Sequence, residues 1–401
     1  MSLQKKKLLW FVSTTEDTKF LKAFSEHFDG TIDVVHLNFL TRLDLIGFNG
    51  RHFLPLSKYS NSKTVVDVSK TFNVLSGRLS EKLALLAYQS TAGMLVKNLE
   101  SFGDSIFVIP SGRHVHHVAA TDFALAHSIK RIYINYSNFP GYTFFDPEGT
   151  DCLASIYRDP TILDKLYPQN VDVEAVFKKF SAIKRNQKSI PQASGSKIKS
   201  YVNSTAFIVD SFIQKLVGFV GDRRVSFGIN IQNDVPDINY DSVSLDSKFV
   251  FFPMQVSTDQ QVLVNYDGGS VISALKEALE IARKNNALLY VREHPAEAQK
   301  IYIRSELNRL RQESNDIKVV SNPVAELIEH AHAVVTINST VGLECRLNYK
   351  DVVFLGKSFY SNATDVQLAK YLCGYLLAID YHEPAVDESL ISDFLKRVVC
   401  E

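Results

Sequence analysis

Three short stretches of this 401-residue chain set polar side chains suited to phosphate and sugar chemistry at points where apolar runs end. In VTINSTVGLE an apolar run leads straight into Asn338, Ser339 and Thr340, three consecutive residues that can cap a helix. Such a helix start offers an anion the amides of its first turn, the helix dipole and the hydroxyls of Ser339 and Thr340. Gly342 would let the ligand come close, and Glu344 can accept hydrogen bonds from both hydroxyls of a ribose. An ordinary capped helix with a solvated Glu344 would use the same residues. In YVREHP, His294 ends an apolar run and Pro295 fixes the exit of the chain, so the ring can donate to a phosphate oxygen and help it leave. A plain His-Pro turn is the alternative. In FFPMQVSTDQQVLVNYDGGS, Gln255 and Asp259 follow an apolar run and precede Gly268 and Gly269. A carboxylate at the place of Asp259 can act as nucleophile or stabilise an oxocarbenium-like sugar carbon, or it can simply cap a surface turn.

The elements that must hold these residues have the pattern of an α/β protein. Apolar runs alternate with stretches of helical spacing, as in a parallel sheet covered on both faces. Strands are expected at 8–14, 33–37, 105–111 and 131–137 in the first half, with helices near 77–101 and 115–129. In the second half strands are expected at 248–255, 287–294, 317–321, 333–338 and 351–356, with helices between them. Ligands of such sheets bind at the carboxyl ends of strands, which is where Gln255, Asp259, His294, Asn338, Ser339 and Thr340 fall. The length suits two domains. The polar stretch 184–203 reads as the connection between them, giving domains of residues 1–200 and 201–401.

Composition narrows the partners. Lys plus Arg and Asp plus Glu stand at 44 each, so no global field draws nucleic acid or an acidic membrane, and an anionic ligand needs a local site. Cys152, Cys345, Cys373 and Cys400 have neither CxxC pairing nor metal-ligand spacing, which fits a reducing cytoplasm. The N-terminal basic cluster and apolar run are too short for a signal peptide, and no stretch reaches transmembrane length, so membrane contact would be peripheral, at the inner face of the inner membrane, or made by further domains.

Taken together, the three stretches resemble the bacterial retaining β-Kdo transferases of capsule and O-antigen assembly, a family that includes KpsC, KpsS and the Kdo transferase domain of WbbB. The elements are Pro253, Gln255, Val256 and Asp259, then Gly268 and Gly269, then His294 and Pro295, then Ser339, Thr340, Gly342 and Glu344. The VVFLGKSFY stretch, with Phe359 and Tyr360, resembles the family's next strand and FY pair. The likeness covers roughly residues 248–362; in the first half only Asp146, Gly149 and Ser155 match, as an acidic residue, a Gly and a later Ser.

The resemblance implies two facing Rossmann-like domains of the GT-B type and a cytoplasmic enzyme that needs no metal or other cofactor. It implies transfer of Kdo from CMP-Kdo to a glycan or lipid-linked glycan with retention of configuration, CMP lying on the C-terminal domain. Retention by two inversions requires an enzyme carboxylate, and a carboxylic acid of ordinary pKa near 4 is ionised at neutral pH, so Asp259 is the expected nucleophile. The donor's own carboxylate calls for a cation, with Arg113 and Arg292 as candidates. Candidates for the general base are Asp146, Glu148 and the histidines His114, His116 and His117. Other readings stay open: a CDP-glycerol-type phosphotransferase, a glycan-binding module without turnover, and a nucleotide-sugar epimerase.

Overall fold

The structure, a computed structural model, describes residues 6–61, 65–185, 209–222, 236–297 and 299–399. They form two compact units. One holds the described residues of Met1–Ile162, Ser196–Ser226 and Cys373–Glu401, and the other those of Leu163–Gly195 and Phe227–Leu372.

The first unit is built on β1 (Lys6–Val12), β2 (Gly30–His36), β3 (His52–Phe53), β4 (Ser105–Pro110), β5 (Arg131–Tyr136) and β6 (Thr143–Asp146). The order across the sheet is β3-β2-β1-β4-β5-β6, parallel except for the antiparallel β5–β6 pair. Leu8 through Val12 have no exposed surface, as a strand covered on both faces requires. Their side chains divide between two cores, Leu8, Trp10 and Val12 to one and Leu9 and Phe11 to the other, which is the two-residue period of a strand. The helix Thr15–Ser25 opens with a capping box in which Thr14 and Asp17 satisfy each other's backbone amides. On the same side lies the helix Glu388–Val399, whose Leu390, Ile391, Phe394 and Val398 recur at helical spacing and enter the Trp10 core. Phe394 is fully buried, with ring centres 5.0 Å from Phe24 and 5.6 Å from Phe145.

The second unit carries β7 (Phe249–Pro253), β8 (Leu288–Arg292), β9 (Ile317–Val319), β10 (Ala333–Thr336) and β11 (Val352–Phe354). All are parallel, in the order β11-β10-β7-β8-β9. Helices Val271–Lys284, Lys300–Glu313, Val324–His330 and Thr340–Leu347 join them. A further helix, Val173–Arg185, lies beside Thr340–Leu347, with Phe177 on the ring of Tyr349 at 5.5 Å and Arg185 donating to Asn348 at 3.3 Å.

Numbered within its own unit, each sheet contains the strand order 3-2-1-4-5, the doubly wound arrangement of a Rossmann-like domain. The expected α/β class with two Rossmann-like domains is therefore realised in both units. A single division at residue 200 is not: the helix Val173–Arg185 goes with the second sheet and the helix Glu388–Val399 with the first. Spacing reveals that a helix has an apolar face but not which sheet that face covers. From residue 186 onward the expected connection at 184–203 lies outside the described residues. Among the described residues no helix is long and apolar enough to cross a membrane, and Cys152, Cys345 and Cys373 take part in no disulfide.

Candidate functional site

In a doubly wound sheet the connections reverse direction between the first and fourth strands, and a crevice opens there at the strands' carboxyl ends. In the second unit those strands are β7 and β10. Val250 faces Ala333 and Phe251 faces Val334, while Pro253 faces Arg292 on β8 and Thr336 faces Phe354 on β11. This register delivers the residues after Pro253, Arg292 and Thr336 to one edge of the sheet, so Gln255, Asp259, His294 and Asn338 through Thr340 emerge together.

Amide side chains stitch that edge. The Gln255 side-chain oxygen accepts from the Asn338 backbone at 3.0 Å, and Asn338 donates to Gln261 at 2.6 Å and to the Lys357 carbonyl at 3.1 Å. Asn265 also donates to Gln261 at 2.6 Å, and its own carbonyl accepts from the Lys357 backbone at 2.8 Å. Gln255 is buried. Its position makes it a tie between the β7 and β10 loops, and Gln261 and Asn265, which the sequence did not single out, belong to the same tie.

Asp259 caps the short helix Gln260–Leu263, its Oδ1 accepting from the Gln261 backbone at 2.8 Å. The capping reading of this residue is thus correct, and capping also fixes the direction of its carboxylate. His294 and Pro295 open a tight turn closed by the Glu297 backbone donating to the His294 carbonyl at 3.1 Å, with proline at the position that favours its fixed φ. Within that turn the Ala296 backbone donates to His294 Nδ1 at 3.1 Å. An accepting Nδ1 places the ring proton on Nε2, so the neutral ring presents an N–H donor. Burial holds the His294 pKa below its ordinary value, while the Asp259 and Glu297 carboxylates nearby pull in the opposite direction.

Ser339 begins the helix Thr340–Leu347. Its hydroxyl accepts from the Val341 backbone at 3.1 Å and from the Thr336 hydroxyl at 2.9 Å. Gly342 is buried, and a Cβ there would stand 2.4 Å from the Phe354 ring and 2.9 Å from Thr336 Cγ2. The glycine serves close packing of helix on sheet, a role the sequence did not suggest. Burial raises the Glu344 pKa, and the opposing influence is Lys184, whose own pKa burial lowers. Lys184, at the end of the helix Val173–Arg185, was read as part of a surface connection and carried no signal of this pairing.

Gly268 and Gly269 form the turn before Ser270, which caps the helix Val271–Lys284. Gly269 has φ +69°, and a Cβ on Gly268 would strike the Tyr266 ring at 2.3 Å. Arg292 donates to the Asn322 carbonyl at 2.5 Å, across the ends of β8 and β9. Phe359 and Tyr360 are buried core residues.

The first-unit candidates have their own surroundings. Asp146, at the end of β6, has no exposed surface and accepts from the backbones of Glu148 (2.8 Å), Gly149 (3.0 Å) and Ser155 (2.9 Å), and from the hydroxyls of Ser155 (2.7 Å) and Tyr375 (2.9 Å). The expected grouping of Asp146, Gly149 and Ser155 is real, and its evident work is to organise the turn. Glu148 pairs with Arg158 at 2.8 Å and keeps about a third of its side chain exposed. Arg113 donates to Cys152 Sγ at 3.0 Å. His114 Nδ1 lies 3.4 Å from the buried carboxylate of Asp222, and His117 Nε2 lies 3.3 Å from the Ser13 hydroxyl. His116 meets the Thr91 hydroxyl at 2.7 Å. Asp222 lies about a hundred residues further along the chain, so local spacing could not have paired it with these rings.

Residues 186–365, somewhat under half of the chain, match the family model described as "Capsule polysaccharide biosynthesis protein". Protein FixF of Sinorhizobium fredii is 34% identical over 122 residues, 30% of this chain and 29% of that protein. The capsule polysaccharide export protein KpsS of Escherichia coli is 28% identical over 123 residues, 29% of this chain and 32% of that protein. The match thus spans about a third of the length of these curated relatives. A solved structure described as Thermosulfurimonas dismutans KpsC, beta Kdo 2,7 transferase, aligns over 98% of both chains at 11% identity with a TM-score of 0.44. Through residues 186–365 the chain is thus similar to the capsule polysaccharide biosynthesis proteins.

Proposed function

We propose that this chain is a glycosyltransferase that moves Kdo from CMP-Kdo to a glycan or lipid-linked glycan of a bacterial surface polysaccharide, with retention of the β configuration. The observation that carries the reading is the gathering of Asp259, His294 and the Ser339–Thr340 helix start at the switch point of the second sheet. The family match over residues 186–365 supports the same class of activity.

In this reading the CMP phosphate rests on the start of the helix Thr340–Leu347, where backbone amides and hydroxyls meet a negative charge without a cation. His294 donates from Nε2 to a phosphate oxygen, and Glu344 receives the ribose hydroxyls. The Asp259 carboxylate attacks the anomeric carbon, the bond from that carbon to the phosphate oxygen breaks, and CMP leaves with the electron pair. An acceptor hydroxyl then attacks the same carbon, the Asp259 ester bond breaks, and a base takes the hydroxyl proton. Two inversions give retention. Of the two first-unit carboxylates, Glu148 suits the base better, because the oxygens of Asp146 are occupied by five donors. Arg292 and Arg113 remain the candidate cations for the donor carboxylate. The enzyme works on the cytoplasmic side of the membrane, without metal.

Incubation with CMP-Kdo and a panel of short glycans in the presence of EDTA tests the donor, the acceptor class and metal independence together. A product heavier than the acceptor by one Kdo residue is expected. No product from CMP-Kdo, with or without divalent ions, but one from CDP-glycerol would replace this reading with the phosphotransferase.

A further inference from the structure

Glu297 stands three residues beyond His294 and is only 5% exposed, yet the chemistry above gives it no part. Its carboxylate makes three hydrogen bonds. Oε2 accepts from the Ser257 backbone at 2.8 Å, and Oε1 accepts from the Ser257 hydroxyl at 2.8 Å and the Gln299 backbone at 2.7 Å. Ser257 lies on the loop that leaves β7 and stands two residues before Asp259, while Glu297 closes the turn that begins with His294. One carboxylate therefore bridges the loop carrying the nucleophile and the turn carrying the phosphate ligand.

We propose that Glu297 is a positioning residue, a clamp that fixes the Asp259 loop against the His294 turn and sets the geometry of the reacting pair. The proposal rests on the functional reading above. A buried carboxylate with three donors is held by charge-assisted bonds, stronger and shorter than neutral ones. Both Ser257 bonds go to the same residue, so the loop can neither slide along the turn nor rotate about one contact. The chemistry rewards this rigidity, because misplacing a reacting group by about 1 Å can cost about 10²-fold in rate. A carboxylate fits where an amide does not: all three neighbours are donors, and an amide would turn its NH₂ toward at least one of them.

The test compares the native chain with Glu297→Gln and Ser257→Ala. Glu297→Gln is expected to lower kcat about 10²-fold with CMP affinity little changed. Ser257→Ala, which removes one bond and leaves the carboxylate with two backbone donors, is expected to lower kcat by up to about tenfold. The two effects should be non-additive in the double variant. A readout that needs no donor is the NMR titration of the His294 ring, which the carboxylates of Asp259 and Glu297 both influence. In Glu297→Gln it should move to lower pH, and the Ser257 amide should exchange faster with solvent. Native kcat together with an unmoved His294 titration in Glu297→Gln would overturn the proposal. If that variant does not fold, unchanged kcat and unchanged exchange of the backbone amide at position 257 in Ser257→Ala would overturn it equally. The titration and exchange results stand even if the chain uses another donor, which separates a failure of the clamp from a failure of the proposed function.

Discussion

The two units share a strand order but fill their switch points differently. Between β7 and β10 the loops are tied by amides, Gln255, Asn338, Gln261 and Asn265, whose hydrogen bonds do not depend on pH. Between β1 and β4 the corresponding place holds titratable groups, His114 with the Asp222 carboxylate and His117 beside the Ser13 hydroxyl. Asp222 is buried, with His114 Nδ1 3.4 Å from one of its oxygens. Its ion pair with His114 holds its pKa below the carboxylate range against a strong opposing effect of burial. The same topology thus supports one rim in which the β7 and β10 loops are tied by neutral amides, and another whose tie is itself ionisable.

The sharpest way to break this contrast is to remove the charge at residue 259. Asn caps a helix as well as Asp does, so Asp259→Asn should keep the fold and the CMP site while transfer falls by several orders of magnitude. Single-turnover kinetics beside CMP titration would show binding and chemistry separating, and near-native turnover would take the residue out of the mechanism.

Next in size is the framework of the first rim. Phe394→Ala removes a fully buried ring from the core shared with Trp10 and should destabilise the first unit by about 3–5 kcal/mol. A thermal scan should show that unit's transition moving and the second unit's staying, which would also confirm that the C-terminal helix serves the first sheet.

A smaller effect follows from Gly342, where an added Cβ would press on Phe354 at 2.4 Å. Gly342→Ala should cost about 1–3 kcal/mol through overpacking. If it left stability unchanged but weakened CMP binding, the glycine would serve the ligand after all.

The pH dependence separates the rims most directly. Burial holds His36 and His117 down at about 3 from the ordinary 6.5. The unfolded chain therefore binds more protons than the folded one between these values, and the first unit loses stability as pH falls below about 6.5. Asp17 and Asp210, raised by burial, act in the opposite sense. A difference measurement isolates the histidine: His117→Asn should flatten the slope of unfolding free energy against pH between 6.5 and 5 by up to about 1.4 kcal/mol per unit. Denaturant titrations at several pH values would give that slope, and an unaltered one would contradict the buried neutral ring.

The strands were legible because a strand buried on both faces is a continuous apolar run, and all four strands expected in the first half and all five in the second are present. β3, with two residues, and β6, TFFD, are the two strands the sequence reading did not expect. The placement of Asp259, His294 and Ser339 at strand ends was legible, because the apolar runs stop just before them. The site was not legible where a group acts from another part of the chain. Lys184 reaches Glu344, and Asp222 reaches His114, through packing of distant segments. Gly342 shows a different limit, since a glycine packed between helix and sheet looks in sequence the same as one that makes room for a ligand.

The central claim, that Asp259 bonds to the transferred sugar, is tested most directly by mixing the native chain with CMP-Kdo, quenching within milliseconds to seconds, and mapping the digested protein by mass spectrometry. One Kdo residue on the peptide carrying Asp259, absent from Asp259→Asn, is the predicted result. A Kdo adduct mapped to any other residue would contradict it.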